Sequence, residues 1–168
     1  MDVTDLLSDM AQRPVAAAEA LPLLTVDQLN AHPGDHPNSV AWLLWHSARQ
    51  ADVQLADLTG APPRWSDYRD RFDLGPIGDT MGYGHTPEQA AQIRAVDQQL
   101  LIDYLREVLT ELSRYAATLS PADLDAIVDR RWDPPVARGV RLVSIIDDAA
   151  QHVGQAAYAA GILTADDV

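Results

Sequence analysis

Apolar residues along this chain recur mostly at intervals of three and four, the period of a helix packed on one face. Four blocks carry the pattern. The first runs from about Asp5 to Ala20, with Leu6, Leu7, Met10, Val15 and Ala18 as its apolar members. Thr4 can cap it, and Pro14 is expected to bend or divide it. Residues 25–30 add one short turn. The second block opens at Asn38-Ser39, which offers an N-cap, and closes before Gly60, a good C′ residue. Val40, Leu44, Ala51, Leu55 and Leu58 keep helical spacing there. Trp42, Leu43, Trp45 and Val53 widen the apolar stripe, so this helix is expected to be buried on most sides.

The third block starts at Thr86-Pro87-Glu88-Gln89, a capping hydroxyl followed by proline and an acid–amide first turn. Ile93, Val96, Leu100, Tyr104, Val108, Leu112, Tyr115 and Leu119 follow in steps of three or four. Read as one helix, the block would span about 45 Å, a length at which curvature or a break is expected. Ser120-Pro121 starts a short helix, and Trp132-Asp133-Pro134-Pro135 forces an extended turn. The last helix runs from about Val140 to Ile162 and is dense in alanine and glycine. The pattern predicts an all-α, four-helix bundle, one domain over residues 1–168. A long irregular stretch, Thr59 to His85, separates the second and third helices, and a loop of that length usually has a function.

Composition narrows the chemistry. The 168 residues include 25 acidic and 12 basic side chains, a net charge of -13, and no cysteine. Without cysteine there is no thiol nucleophile and no thiolate metal site, so any ion must be held by His, Asp or Glu. The acidic balance disfavours nucleic acid and anionic membrane surfaces as partners. No apolar run approaches a membrane span and the first ten residues lack a basic leader, so the expected location is cytoplasmic.

Five histidines are available, and two fall inside helices: His46 in the second block and His152 in the last. Asp148 precedes His152 by four residues, which places both side chains on one helical face. Such a pair can chelate a divalent ion, and His46 could supply a third ligand, leaving a position open for catalysis. The same spacing also suits a plain helical ion pair beside a hydrogen-bonded core histidine. His85 sits in a glycine-rich loop before the third helix and is a candidate acid/base group at a cavity mouth. Arg138 and Arg141 lead into the last helix as candidates to clamp a carboxylate of a bound ligand.

The run Ser39-Val-Ala-Trp-Leu-Leu-Trp-His46-Ser-Ala-Arg-Gln-Ala-Asp52 resembles the second helix of the DinB-like superfamily. Arg141-Leu-Val-Ser-Ile-Ile-Asp-Asp148-Ala-Ala-Gln-His152-Val-Gly-Gln155 resembles its fourth. Gly82-Tyr-Gly-His-Thr-Pro-Glu-Gln89 and Arg131-Trp-Asp-Pro-Pro135 are similar to an actinobacterial branch of that superfamily. The resemblance spans Val40 to Leu163. It implies a four-helix bundle holding a divalent metal, commonly zinc or nickel, with three histidines at positions that match His46, 148 and His152. This chain departs at 148, where it has Asp. The related mycothiol-dependent maleylpyruvate isomerases also place a carboxylate there. Aspartate is short, so the ion would sit close to the helix or Asp148 would act from behind the ligands.

The resemblance further implies an S-transferase of detoxification, in which a diffusible mycothiol-type thiol attacks a small-molecule electrophile. A noncatalytic metal-binding or stress-related bundle is the alternative. A homodimer is compatible with the small-residue faces of the last helix.

Overall fold

Ser39 opens the helix that organises the molecule. Its hydroxyl accepts the Trp42 N–H at 3.1 Å. The helix, α3 (Val40–Thr59), then runs to Gly60, whose φ of 73° supplies the left-handed cap. This is the computed structural model, and it describes residues 2–165. The extreme ends of the domain expected over residues 1–168 lie outside them. Residues 40–52 of α3 are buried without a break. The cause is packing on several sides: α6 (Gln98–Ala116) and α8 (Arg138–Leu163) flank α3, and segment 61–85 covers a further face.

α1 (Val3–Glu19) also packs on α6 and α8, which closes a four-helix bundle around Leu44, Trp45, Leu105, Leu109, Leu142 and Ile145. Pro14 does not divide α1. It is buried, and the carbonyl left without its partner belongs to Met10, a residue on the exposed side of the helix where water can reach it. Asp2, not Thr4, is the cap: its carboxylate accepts the Asp5 N–H at 2.9 Å and the Thr4 hydroxyl at 2.7 Å. The short turn expected over residues 25–30 is α2 (Val26–Leu29), capped by Thr25.

The irregular stretch between α3 and the third long helix contains its own helix, α4 (Trp65–Phe72), and a 3-10 turn at Gly75–Asp79. Trp65 and Tyr68 pack inward, close to Tyr104. The third block is not one helix. Thr86 caps a single turn, α5 (Pro87–Ala90), and the chain re-enters helix only at Gln98, where Asp97 accepts the Gln99 N–H at 2.8 Å. Between them Asn30 holds the backbone of Ala95, accepting its N–H at 2.9 Å and donating to its carbonyl at 2.7 Å. Ile93 is buried, but Val96 is 83% exposed and does not belong to the core stripe that its spacing suggested.

After α6 come α7 (Pro121–Asp125) and a short antiparallel pair, β1 (Ile127–Asp129) and β2 (Val136–Ala137), joined by the Trp132–Pro135 turn. α8 then returns antiparallel to α3. Gln50 donates to the Ile145 carbonyl at 3.0 Å, and Arg141 donates to Gln54 at 3.0 Å. Ala149, Ala156 and Ala160 are fully buried inside the bundle, so part of the small-residue content serves close helix contact within one chain. Among the described residues, no helix is long and apolar enough to cross a membrane.

Candidate metal centre

The antiparallel pairing of α3 and α8 brings His46 opposite Asp148 and His152. One ligand-capable atom from each residue lies within 4.8 Å of the other two. The orientation of each imidazole can be read from its neighbours, because a carbonyl only accepts. The His46 Nδ1–H donates to the Met81 carbonyl, which leaves the lone pair on Nε2. The His152 Nδ1–H donates to the Asp148 backbone carbonyl at 2.8 Å, which again leaves the lone pair on Nε2. Both rings therefore carry the proton on the nitrogen that is already hydrogen-bonded, the arrangement typical of metal-binding histidines.

Asp148 is the third candidate donor. Its Oδ2 is 3.8 Å from His46 Nε2 and 3.6 Å from His152 Nδ1, beyond hydrogen-bond range. That oxygen is buried and has no hydrogen-bond partner, although 39% of the side chain is exposed. A buried acceptor without a partner is costly, and a divalent cation is the kind of group that would relieve it. The donor set, two neutral imidazoles and a carboxylate, suits zinc and other first-row ions. On this ground the residues fit a divalent ion.

The surroundings keep His46 neutral. Burial lowers its pKa from the ordinary imidazole value near 6.5, and nearby His152 adds to the effect, while the Met81 carbonyl and Asp148 oppose it. Trp42 stacks on the His46 ring at 4.6 Å between centroids, and His152 meets the same ring edge-on, also at 4.6 Å. Gly82 packs against the Nδ1 edge of the ring, beside Trp42. Its φ is 91°, and a Cβ there would fall 2.8 Å from His46 Nδ1, 3.0 Å from Trp45 and 3.1 Å from Trp42. Only glycine fits both the backbone and the space.

His85 lies near the centre but outside the cluster of three. Its Nδ1 accepts the Trp42 indole N–H at 3.3 Å. The Thr80 hydroxyl donates to the Ile77 carbonyl at 2.7 Å, so the 2.8 Å contact with His85 Nε2 has the imidazole donating to Thr80. Both nitrogens are occupied, and burial lowers the His85 pKa. An acid/base role requires one of these bonds to open. Arg138 and Arg141 are engaged elsewhere: Arg138 donates to the Asp123 carbonyl at 2.9 Å, and Arg141 pairs with Asp129 at 3.0 Å and with Gln54. Residue spacing alone did not reveal Met81, Gly82 or Trp42. The Gly82-Tyr83-Gly84 run was the available signal for a backbone approaching a functional group closely.

A groove of about 610 Å³ runs along α8 from Gln151, the residue before His152, through Gly154, Gln155 and Tyr158, which face Leu43, Asn38 and His36. Its size is that of a small-molecule site, and its lining contains no arginine, aspartate or glutamate.

Fold and site together define a four-helix bundle with a candidate divalent-metal centre between its second and fourth long helices. The family model described as the DinB superfamily matches residues 9–156, and the chain belongs to that superfamily. A conserved protein from Enterococcus faecalis, known from its crystal structure, shares 38% sequence identity with it. The match covers 98% of this chain and 99% of that one, with a TM-score of 0.88. The search of curated proteins gave no match.

Proposed function

We propose that the protein is a divalent-metal-dependent enzyme, an S-transferase that joins a low-molecular-weight, mycothiol-type thiol to a small electrophile. The observation that carries the metal reading is the partnerless Asp148 Oδ2, buried beside two imidazoles whose Nε2 lone pairs are uncommitted. His46, Asp148 and His152 would hold the ion, zinc or nickel. When bound, the ion would lower the pKa of a coordinated thiol or water. The chain contains no cysteine, so the sulfur must come from a cosubstrate. Trp42 and Gly82 shield one side of His46 from water, and the groove along α8, with no arginine or carboxylate in its lining, suits an uncharged electrophile. Release of the His85–Thr80 bond would let His85 exchange a proton at the rim.

Two measurements test this. Protein purified without an affinity tag should carry about one equivalent of divalent metal. It should also consume mycothiol with a chlorobimane electrophile, and His152→Ala should abolish that turnover. Metal below about a tenth of an equivalent in folded protein would overturn the reading. One observation favours a noncatalytic interaction module instead: Val143, Tyr158 and Ile162 of α8 are 56%, 76% and 50% exposed. That reading expects a stable homodimer by light scattering and no thiol consumption by metal-loaded protein.

A further inference from the structure

We propose that Arg49 is a positioning residue for His46, acting through the backbone of residues 79–82; its effect on metal binding rests on the metal reading above. Arg49 lies on α3 three residues after His46 and is 3% exposed. Its Nη2 donates to the Asp79 carbonyl at 3.1 Å and its Nε to the Thr80 carbonyl at 3.0 Å. The next carbonyl, that of Met81, accepts the His46 Nδ1–H. Three successive carbonyls are thus taken by two side chains of one helix, a turn apart. Gly82 follows at once and packs its α-carbon against His46. The strand of backbone that fixes the His46 tautomer is registered by Arg49.

The alternative is that Arg49 is present for its ion pair with Asp52. The distances argue against it. Asp52 already accepts the Tyr104 hydroxyl at 2.6 Å, the Trp65 N–H at 2.8 Å and the Arg64 N–H at 2.8 Å. Its contact with Arg49 is the long one, 3.5 Å. The short hydrogen bonds of Arg49 go to the loop, while its guanidinium rests over the Trp65 ring at 4.8 Å. Burying a cation is unfavourable unless its donors are used, and an apolar side chain could fasten the loop as well. What the guanidinium adds is a planar fork whose Nε and Nη2 meet two adjacent carbonyls in a fixed relation. A lysine has one nitrogen and cannot set both.

Arg49→Lys keeps the charge beside Asp52 and most of the buried volume, so it is the primary variant, with Arg49→Met as the second. Nitrogen-15 spectra of the histidine rings give a readout independent of metal. The wild-type His46 ring should be a single Nδ1–H tautomer, and Arg49→Lys should show a mixture. Cobalt(II) titration, monitored by its visible absorption well below the unfolding temperature, gives the second readout. Arg49→Lys should lose about 10- to 100-fold in affinity, the usual effect of removing support behind a ligand. In a His46→Ala background the same substitution should change the residual affinity by less than about twofold, because coupled residues are non-additive. A wild-type tautomer and wild-type affinity in Arg49→Lys would overturn the proposal, as would an equal loss in both backgrounds. If wild-type protein takes up no cobalt, the metal reading fails, and the tautomer measurement still decides the role of Arg49.

Discussion

Replacing Gly82 by alanine probes whether the 79–82 segment shapes the candidate metal centre. The substitution has two costs that can be separated. The first is backbone: a φ of 91° is foreign to an L side chain and costs about 1–3 kcal/mol. The second is steric: the new Cβ would sit 2.8 Å from His46 Nδ1, the atom that donates to Met81. Relief requires the ring or the loop to move, which sacrifices that hydrogen bond at about 1 kcal/mol. Together these give about 2–4 kcal/mol, or roughly 5–15 °C in Tm for a chain of this size. Gly84 supplies the control, because its φ is 75° but an added Cβ would meet nothing within 4 Å. Gly84→Ala should cost only about 1–2 kcal/mol and leave the site intact. Calorimetry gives the two Tm values, and zinc competition titration gives the affinities. Gly82→Ala should weaken metal binding at least about tenfold, and Gly84→Ala should leave it at the wild-type value. Equal losses of Tm with wild-type zinc affinity in both variants would refute the claim that Gly82 and Met81 hold His46.

Asp148→Asn should abolish stoichiometric metal uptake while leaving apo-protein stability within about 1 kcal/mol, because the buried oxygen it alters has no partner to lose. A large fall in apo Tm would show instead that Asp148 serves a structural ion pair. Gly154→Phe projects from the exposed face of α8, where an added Cβ meets nothing within 4 Å, into the groove beside His152. It should leave Tm unchanged or slightly raised, since glycine is a poor helix former by up to about 1 kcal/mol. It should also raise KM for a bulky electrophile without changing metal content; an unchanged KM would take the groove out of the substrate path. The pH dependence follows from the depressed His46 pKa. The unfolded chain takes up this proton first, so the stability it contributes is present above about pH 6.5 and is lost as pH falls toward the lower folded value. The fall in apo Tm from neutral pH to about pH 5.5 should therefore be shallower in His46→Gln.

The parts of this molecule that sequence made legible are those written in side chains close together along the chain. Ser39 and Gly60 bounded α3, and an apolar stripe spread over more than half its circumference announced burial on several sides. Asp148 and His152 stand one turn apart, a spacing that suits a helical ion pair as well as a ligand pair, and the resemblance to the superfamily is what favours the metal. The third helix was misread because two start signals compete. Thr86 and Asp97 both cap, and the accidental continuation Ile93–Val96–Leu100 bridged the break. What breaks the helix is Asn30, 65 residues away, holding Ala95 from both sides, and nothing local encodes that pairing. The Met81 carbonyl was invisible for a different reason: every residue has one, and only the fold selects which is used. Arg49, three positions after His46, looked like any polar residue of a helix until its donors could be followed to their acceptors.

That contrast also bears on whether the Asp148–His152 spacing is an ordinary helical ion pair. Such a pair, free to optimise on one face, closes to hydrogen-bond distance, as Arg13 and Asp9 do at 2.7 Å on α1. Here the carboxylate oxygen stays 3.6 Å from His152 and 3.8 Å from His46 and remains partnerless. Neither imidazole offers it a proton, because each has spent its Nδ1–H on a backbone carbonyl. The three residues thus bring one ligand-capable atom each to within 4.8 Å of one another, and the carboxylate oxygen among them receives no hydrogen bond. Without a cation this arrangement is unfavourable. It persists because rigid elements impose it: α8 fixes Asp148 and His152 one turn apart, α3 fixes His46 opposite, and Arg49 fastens the loop whose carbonyl turns His46 the right way. A bundle stabilised only by its core has no use for a buried carboxylate oxygen left without a partner beside two imidazoles, so this cluster argues for a site built to receive an ion.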